Sequence, residues 1–259
     1  MIRKAKFSGS FYPSEENEII KIFAGFSQKN ESIAPNNVKA VIVPHAGYIY
    51  SGFTANEIFS QLDASRYKRV AVIGPSHHVY FNGTSISLHK TYETPLGELN
   101  IDLSYSKFLL NKFALGFAPE AHSEHSTEVQ MPFIKKYLPN LDVIEMVYAG
   151  ENPNTLVPII EQLINSETLV IISTDLSHFH SLEKANNLDN ICLDAISTLD
   201  SQKLHTGCEA CGIIGIEALI KASNNLNLLS KLSSYTTSAD ASNDTSSVVG
   251  YMGAFIYAP

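Results

Sequence analysis

The chain has 259 residues, of which 44% are hydrophobic, so it can bury a large core, and we expect one domain over residues 1–259. Its formal net charge of −8 argues against a nucleic-acid binder, which needs a basic surface. No run reaches the roughly 18 apolar residues of a membrane span, and no apolar signal segment follows the basic start. We therefore expect a cytoplasmic protein, with no membrane partner and with reduced cysteines.

The spacing of apolar residues predicts alternating helices and strands, which is typical of an α/β protein. Glycine, proline and polar clusters set the predicted boundaries. We predict helices over residues 14–26, 52–62, 103–113, 129–138, 155–164, 182–199 and 208–222. We predict strands over 38–43, 69–73, 84–88, 141–147, 168–173 and 247–257. Loops are predicted over 28–37 and 238–247, and a turn over 92–97.

Three of these strands are almost wholly apolar and end abruptly at segments that contain histidine. In an open α/β sheet, ligands bind outside the carboxyl ends of the strands. If the three strands are parallel neighbours, the polar side chains that follow them converge on one site. These side chains are His45 after the first strand, His77 and His78 after the second, and Asp175, His178 and His180 after the third.

The convergent side chains indicate metal chemistry. Neutral imidazole is the commonest metal ligand, and a carboxylate such as Asp175 near His178 can fix the imidazole tautomer and raise its basicity. Two histidines with one anionic ligand are typical of non-haem Fe(II) sites that use O2. The same ligand pattern can hold Zn(II) and activate water.

The remaining histidines and the cysteines leave alternatives open. His89 and His205 are predicted to be structural, whereas the loop with His122 and His125 is either solvated or part of the site. Cys192 is predicted to be a small apolar residue inside a helix. The pair Cys208 and Cys211 at a helix start could be redox-active, because the helix dipole lowers the thiol pKa there.

Taken together, the motifs identify a family resemblance. They are PHAGY at 44–48, GPSHH at 74–78, EHS at 124–126, STDLSH at 173–178 and ACG at 210–212, and an opening segment at 3–13 contains GSFYP. Their order along the whole chain resembles the MEMO family, whose microbial members are called AmmeMemoRadiSam system protein B. The resemblance implies a three-layer α/β/α fold around a mixed, largely parallel sheet, similar to the LigB-like fold of class III extradiol dioxygenases.

The resemblance also implies roles for individual residues. His45, His77 and Cys211 match the metal ligands, with the cysteine in place of the dioxygenases' carboxylate. His178 matches their acid–base histidine, and Asp175 stands beside it. Fe(II) is the expected metal, with Cu(I) and Zn(II) as alternatives. The residues expected to line the pocket are Tyr48, His78, His125, Glu128 and Cys208, the last of which could form a resolving disulfide with Cys211.

Two classes of function follow. The first is a metal-dependent oxidoreductase that uses O2, although a soft thiolate ligand argues against ring cleavage. The second is a non-catalytic protein that binds a metal, a peptide or a partner in the same cleft. A small molecule or peptide is the expected occupant of the cleft, and AMMECR1-like and radical SAM proteins, named with this family in microbes, are the expected companions.

Overall fold

The computed structural model describes residues 1–26 and 33–259, so the first part of the predicted loop over 28–37 lies outside the described residues. The helices are α1 (Glu16–Phe26), α2 (Tyr48–Phe59), α3 (Leu103–Lys112), α4 (His125–Glu128), α5 (Met131–Tyr137), α6 (Pro153–Asn165), α7 (Leu182–Ser197), α8 (Ser201–Leu204), α9 (Ile213–Asn225) and α10 (Ala239–Ser242). The strands are β1 (Ile2–Arg3), β2 (Val38–Val43), β3 (Arg69–Pro75), β4 (Gly83–Ile86), β5 (Thr91–Tyr92), β6 (Leu99–Asn100), β7 (Asp142–Ala149), β8 (Thr168–Ser173), β9 (His178–His180), β10 (Leu229–Thr237) and β11 (Val248–Tyr257).

Most strands form one mixed sheet in the order β10-β11-β2-β8-β3-β7-β4, and β9 pairs with β11 outside this row. The four central strands β2, β8, β3 and β7 are parallel. The strands on either side of them are antiparallel. The predicted parallel pairing is therefore found in the four central strands. A small separate sheet contains β1, β5 and β6.

Apolar residues cover both faces of the sheet, because successive side chains of a strand point to opposite faces. In β3, Val70 and Val72 join the core with residues of α1, α2 and α5. Ala71 and Ile73 join the other core with residues of α6, α7 and α9. The sheet thus lies between two helical layers, which confirms the three-layer α/β/α fold.

The strand order brings the predicted site together. β8 lies between β2 and β3 and is parallel to both, so the carboxyl ends of the three strands lie side by side. His45 follows β2 and His77 follows β3, while Asp175 follows β8.

None of the helices in the described part of the chain is long and apolar enough to cross a membrane.

Several elements differ from the predictions; for example, the predicted loop over 238–247 contains α10. The strand β10 (Leu229–Thr237) is not predicted, because it lies at the sheet edge and its polar, partly exposed side chains lack an apolar run. The predicted helix over 208–222 begins only at Ile213, with Gly212 at its amino end. The two residues that follow Cys208 are irregular.

The cysteines also differ from the prediction of reduced thiols. Cys192 of α7 and Cys208 form a disulfide, and Cys211 is free. Packing brings the two partners together, because Gly207 fits against Ile191 of α7 and places the Cα atoms of Cys192 and Cys208 5.0 Å apart. That separation lies within the range that a disulfide can bridge. Cys192 therefore forms a covalent cross-link instead of packing as a free apolar residue. Cys208 is bonded to Cys192 and is not available to form a disulfide with Cys211.

Candidate metal site

Three potential ligand atoms converge at the carboxyl edge of the sheet. Nitrogens of His45 and His77 and the sulfur of Cys211 all lie within 4.8 Å of one another. The His45 Nε2 and Cys211 Sγ atoms are 3.4 Å apart. His45 and Cys211 come from segments 166 residues apart in the chain, and the fold alone joins them.

The hydroxyl of Ser173 determines which nitrogen of His45 faces the cluster. Ser173 donates to the carbonyl of Ser126 at 2.5 Å and accepts from the amide of Gln130 at 2.9 Å. Its Oγ can therefore only accept from His45 Nδ1, which lies 3.0 Å away. His45 thus carries its proton on Nδ1, and the lone pair of Nε2 points toward Cys211. Burial, followed by the neighbouring imidazoles of His77 and His125, lowers the pKa of His45, so the ring is neutral.

A single carboxylate orients two further histidines. Glu124 Oε1 lies 3.0 Å from His77 Nδ1 and 2.9 Å from His125 Nδ1. Because an ionised carboxylate can only accept, His77 carries a proton on Nδ1 and has Nε2 free. A carboxylate bonded to the far nitrogen of a metal-ligating histidine is a common arrangement in metal sites. The sequence motif contains Glu124, but sequence reasoning assigns it no role.

Glu124 is itself held rigidly. Its carboxylate accepts the amides of His77 at 2.6 Å and Ser126 at 3.1 Å, and it caps α4. Burial opposes its ionisation, but the hydrogen bonds from His125 and His77 outweigh burial and hold the pKa of Glu124 well below its usual range. Glu124 is therefore a fixed negative charge behind the two imidazoles.

Cys211 is held against the end of β8. Its sulfur accepts the amide of Asp175 at 3.2 Å, and its own amide donates to the Asp175 carbonyl at 3.2 Å. Gly212 permits this close approach, because a Cβ at that position would lie 2.6 Å from Thr174 Cβ. Burial, with the nearby Asp175 charge, raises the pKa of the Cys211 thiol to about 12. Without a bound cation the site therefore holds a thiol.

Asp175 does not bind the partner that the sequence predicts. Its carboxylate accepts the backbone amide of His45 at 2.7 Å, and it makes no hydrogen bond to the His178 ring within the described part of the chain. Burial raises the pKa of Asp175. Asp175 therefore positions the His45 segment. His178 lies in β9, near enough to influence the pKa values of both His45 and Asp175.

The amino-terminal segment forms one wall of the site. The ring of Phe7 stacks on His78 with centroids 5.2 Å apart, and Phe11 packs on His125 at 4.7 Å. His78 Nε2 in turn lies 3.0 Å from His125 Nδ1. The predicted pocket residues His78 and His125 thus lie beside the three-atom cluster, with aromatic rings at their outer side.

Glu128 and Tyr48, also predicted to line the pocket, are turned away from the cluster. Glu128 pairs with Arg3 at 2.8 Å and accepts the amide of Phe7 at 2.6 Å and the hydroxyl of Tyr12 at 2.8 Å. Tyr48 is buried and donates to a backbone carbonyl of residue 129. Glu128 therefore anchors the amino-terminal wall. Tyr48 packs beneath the site.

The other histidines are structural. His122 is buried, with Nδ1 3.0 Å from Glu145 and Nε2 2.9 Å from Ser85. It is therefore neither solvated nor part of the cluster. His89 bonds the hydroxyl of residue 87, and His205 pairs with the carboxylate of residue 217 near the surface. The structural interpretation of His89 and His205 agrees with these contacts.

The whole chain is similar to known proteins. A family model described as "Memo-like protein" matches residues 3–255. A "MEMO1 family protein" of Aquifex aeolicus is 31% identical over 268 residues, which cover 97% of this chain and 98% of the relative. One from Nitrosopumilus maritimus is 30% identical over 269 residues with the same coverage, and one from Methanococcus vannielii is 31% identical over 284 residues, covering 99% of both chains. With its motifs on one sheet edge and similarity over nearly its full length, the chain belongs to the Memo-like family.

Proposed function

We propose that the chain binds one redox-active metal ion through His45, His77 and Cys211 and acts as a metal-dependent oxidoreductase that uses O2. The observation that carries the proposal is the convergence of the three ligand atoms within 4.8 Å. The donor set fits a metal, because the protons on both imidazoles are committed to Ser173 and Glu124 and leave Nε2 free.

Fe(II) is the metal we propose, with Cu(I) and Zn(II) as the alternatives to be separated by experiment. Imidazole suits all three ions, and a thiolate suits Cu(I) and Zn(II) in particular. A bound Fe(II) or Cu(I) ion supplies a redox couple for O2 chemistry, whereas Zn(II) supplies only a Lewis acid. Three protein ligands leave coordination positions of the ion open for a small molecule.

The remaining residues of the site have roles in orientation and proton transfer. Ser173 and Glu124 fix the orientation of the two ligating imidazoles. Phe7 and Phe11 pack on His78 and His125 and hold these two rings in place. His178 holds or transfers a proton, because it lies near His45 and Asp175 without being part of the three-atom cluster.

The test combines metal titration with oxygen uptake. Metal-free protein is titrated anaerobically with Fe(II), Cu(I) or Zn(II), and the loaded protein is then given O2 with catechol, a thiol or ascorbate. We expect one ion per chain and sustained O2 uptake with at least one of these reductants. Stoichiometric metal binding without sustained uptake would instead support a metal-binding or partner-binding protein. Failure to bind any of the ions would contradict the site itself.

Glu124→Gln should weaken metal binding by about 10–100-fold, as is typical when a group that orients a metal ligand is lost. The amide keeps the shape of the side chain but removes the charge that accepts from both His77 and His125. The affinity is measured by competition with a chelator. Glu167→Gln is the matched control, because Glu167 pairs with Lys68 just before the start of β8, at the opposite edge of the sheet from the cluster. Equal affinities for the two variants would contradict the orienting role.

Metal binding should release about one proton near neutral pH, because the ligand is a thiolate while the free site holds a thiol. The pKa of Cys211 is raised to about 12, so affinity should rise about tenfold per pH unit below that value. His45 contributes no proton, because its lowered pKa leaves it neutral. Calorimetric titration in two buffers of different ionisation enthalpy measures the release. The Cys211→Ser variant should show none.

A further inference from the structure

A covalent cross-link lies close to the proposed sulfur ligand. The disulfide joins Cys192 of α7 to Cys208, and Cys211 follows three residues later. Both disulfide partners are buried, whereas His205 and Thr206, just ahead of Cys208, are exposed. The disulfide is therefore covered by only a short surface segment.

Few other contacts hold the segment over residues 205–210. The backbone amides of His205, Thr206 and Cys208 donate to backbone carbonyls of α8, so these hydrogen bonds are local. Glu209 forms one link to His180 near the surface, and His205 pairs with Glu217 of α9 at 3.2 Å. The next contacts to the sheet are those of Cys211 itself. Gly207 also packs on Ile191 of α7, and the disulfide adds a covalent attachment of this segment to the same helix.

The helix at the other end of the disulfide is firmly anchored. Asp189 of α7 accepts the backbone amide of Ser177 at 2.9 Å and the hydroxyl of Tyr235 at 2.7 Å. Asp189 also packs directly on Gly250 of β11, where there is no room for a Cβ atom. α7 therefore fixes the segment that carries His178 independently of the disulfide. The disulfide connects the Cys211 segment to this same rigid helix.

We propose that the disulfide between Cys192 and Cys208 is a redox switch that keeps the Cys211 segment preorganised for metal binding and that reduction by a dithiol loosens it. The inference rests on the proposed metal site. A thiolate of the dithiol attacks the sulfur of Cys208, the bond between the two sulfurs breaks and Cys192 leaves as a thiolate that takes up a proton. The second thiol of the reductant then releases Cys208 as a thiol. The protein gains two electrons and two protons, and the dithiol becomes a disulfide.

The test begins with the metal-free wild-type chain, so that it does not depend on metal binding. One sample is kept oxidised and the other is treated with a dithiol, which is then removed anaerobically. Alkylation followed by mass spectrometry should detect Cys211 as the only free cysteine in the first sample and all three cysteines in the second. Amide hydrogen exchange over 205–211 should be at least about tenfold faster after reduction, as expected for a segment that opens locally. Exchange over 176–180 should not change, because Asp189 still holds Ser177.

The same two samples are then titrated with Fe(II). We expect the reduced protein to bind about tenfold more weakly, the low end of the loss seen when support of a metal ligand is removed. The double variant Cys192→Ala/Cys208→Ala should bind like the reduced protein and should not respond to the dithiol. Unchanged exchange and unchanged affinity after reduction would overturn the switch. Absence of Fe(II) binding in both samples would instead contradict the metal site. The hydrogen-exchange result would still show whether the disulfide holds the Cys211 segment in place.

Discussion

Replacing Cys211 with serine is expected to lower Fe(II) affinity by more than about 100-fold, because losing a ligand should cost more than the 10–100-fold typical of a supporting residue. The serine side chain can keep the hydrogen bond from the amide of Asp175, so the fold should be preserved. A serine hydroxyl remains protonated near neutral pH and is a poor ligand for these ions. Anaerobic titration against a competing chelator measures the loss.

Three further variants test whether Cys211 is the sulfur ligand. His77→Ala should lose at least as much affinity as Cys211→Ser, because both residues belong to the three-atom cluster. His89→Ala is the matched control, since His89 bonds Ser87 outside the site. Cys208→Ser should lose less than Cys211→Ser. If the two cysteine variants show the reverse order, the sulfur ligand is misassigned, and if neither matters, the site has no sulfur ligand.

The central strands could be predicted from sequence for a simple physical reason. The strands over 38–43 and 168–173 have the predicted bounds, because both are mainly apolar runs that end at a polar residue or a proline. β10 could not be predicted in this way. It is half-exposed at the sheet edge, where pairing with β11 rather than an apolar pattern defines it.

Some residues of the candidate site could be predicted from the sequence and others could not, for the same reason. His45 and His77 could be found because each follows a predicted strand, and the order of the strands in the sheet brings the two side chains together. The orienting role of Glu124 could not be found, because it depends on contacts with His77, which lies 47 residues earlier in the chain. The disulfide of Cys208 likewise depends on how α7 packs. Sequence pattern reports local structure, whereas these two features arise only from tertiary contacts.

His178→Ala should reduce metal-dependent O2 uptake by about 10²–10⁴-fold, the usual contribution of a general acid–base residue, while leaving metal stoichiometry unchanged. His178 is half-buried in β9, where it pairs with Val249 of β11. It acts electrostatically on both His45 and Asp175, yet it is not in the cluster of three ligand atoms. A group at that place can exchange protons with a bound molecule without holding the ion.

His180→Ala is the matched control for this prediction, because His180 belongs to the same short strand but bonds Glu209 near the surface. It should retain both the metal and the uptake rate. Metal loss in His178→Ala equal to that in His77→Ala would make His178 a ligand. Unchanged uptake in His178→Ala, with the reductant that the parent oxidises, would show that another group transfers the proton. Because metal content and uptake are measured on the same samples, the ligand role and the proton-transfer role of His178 are separated directly.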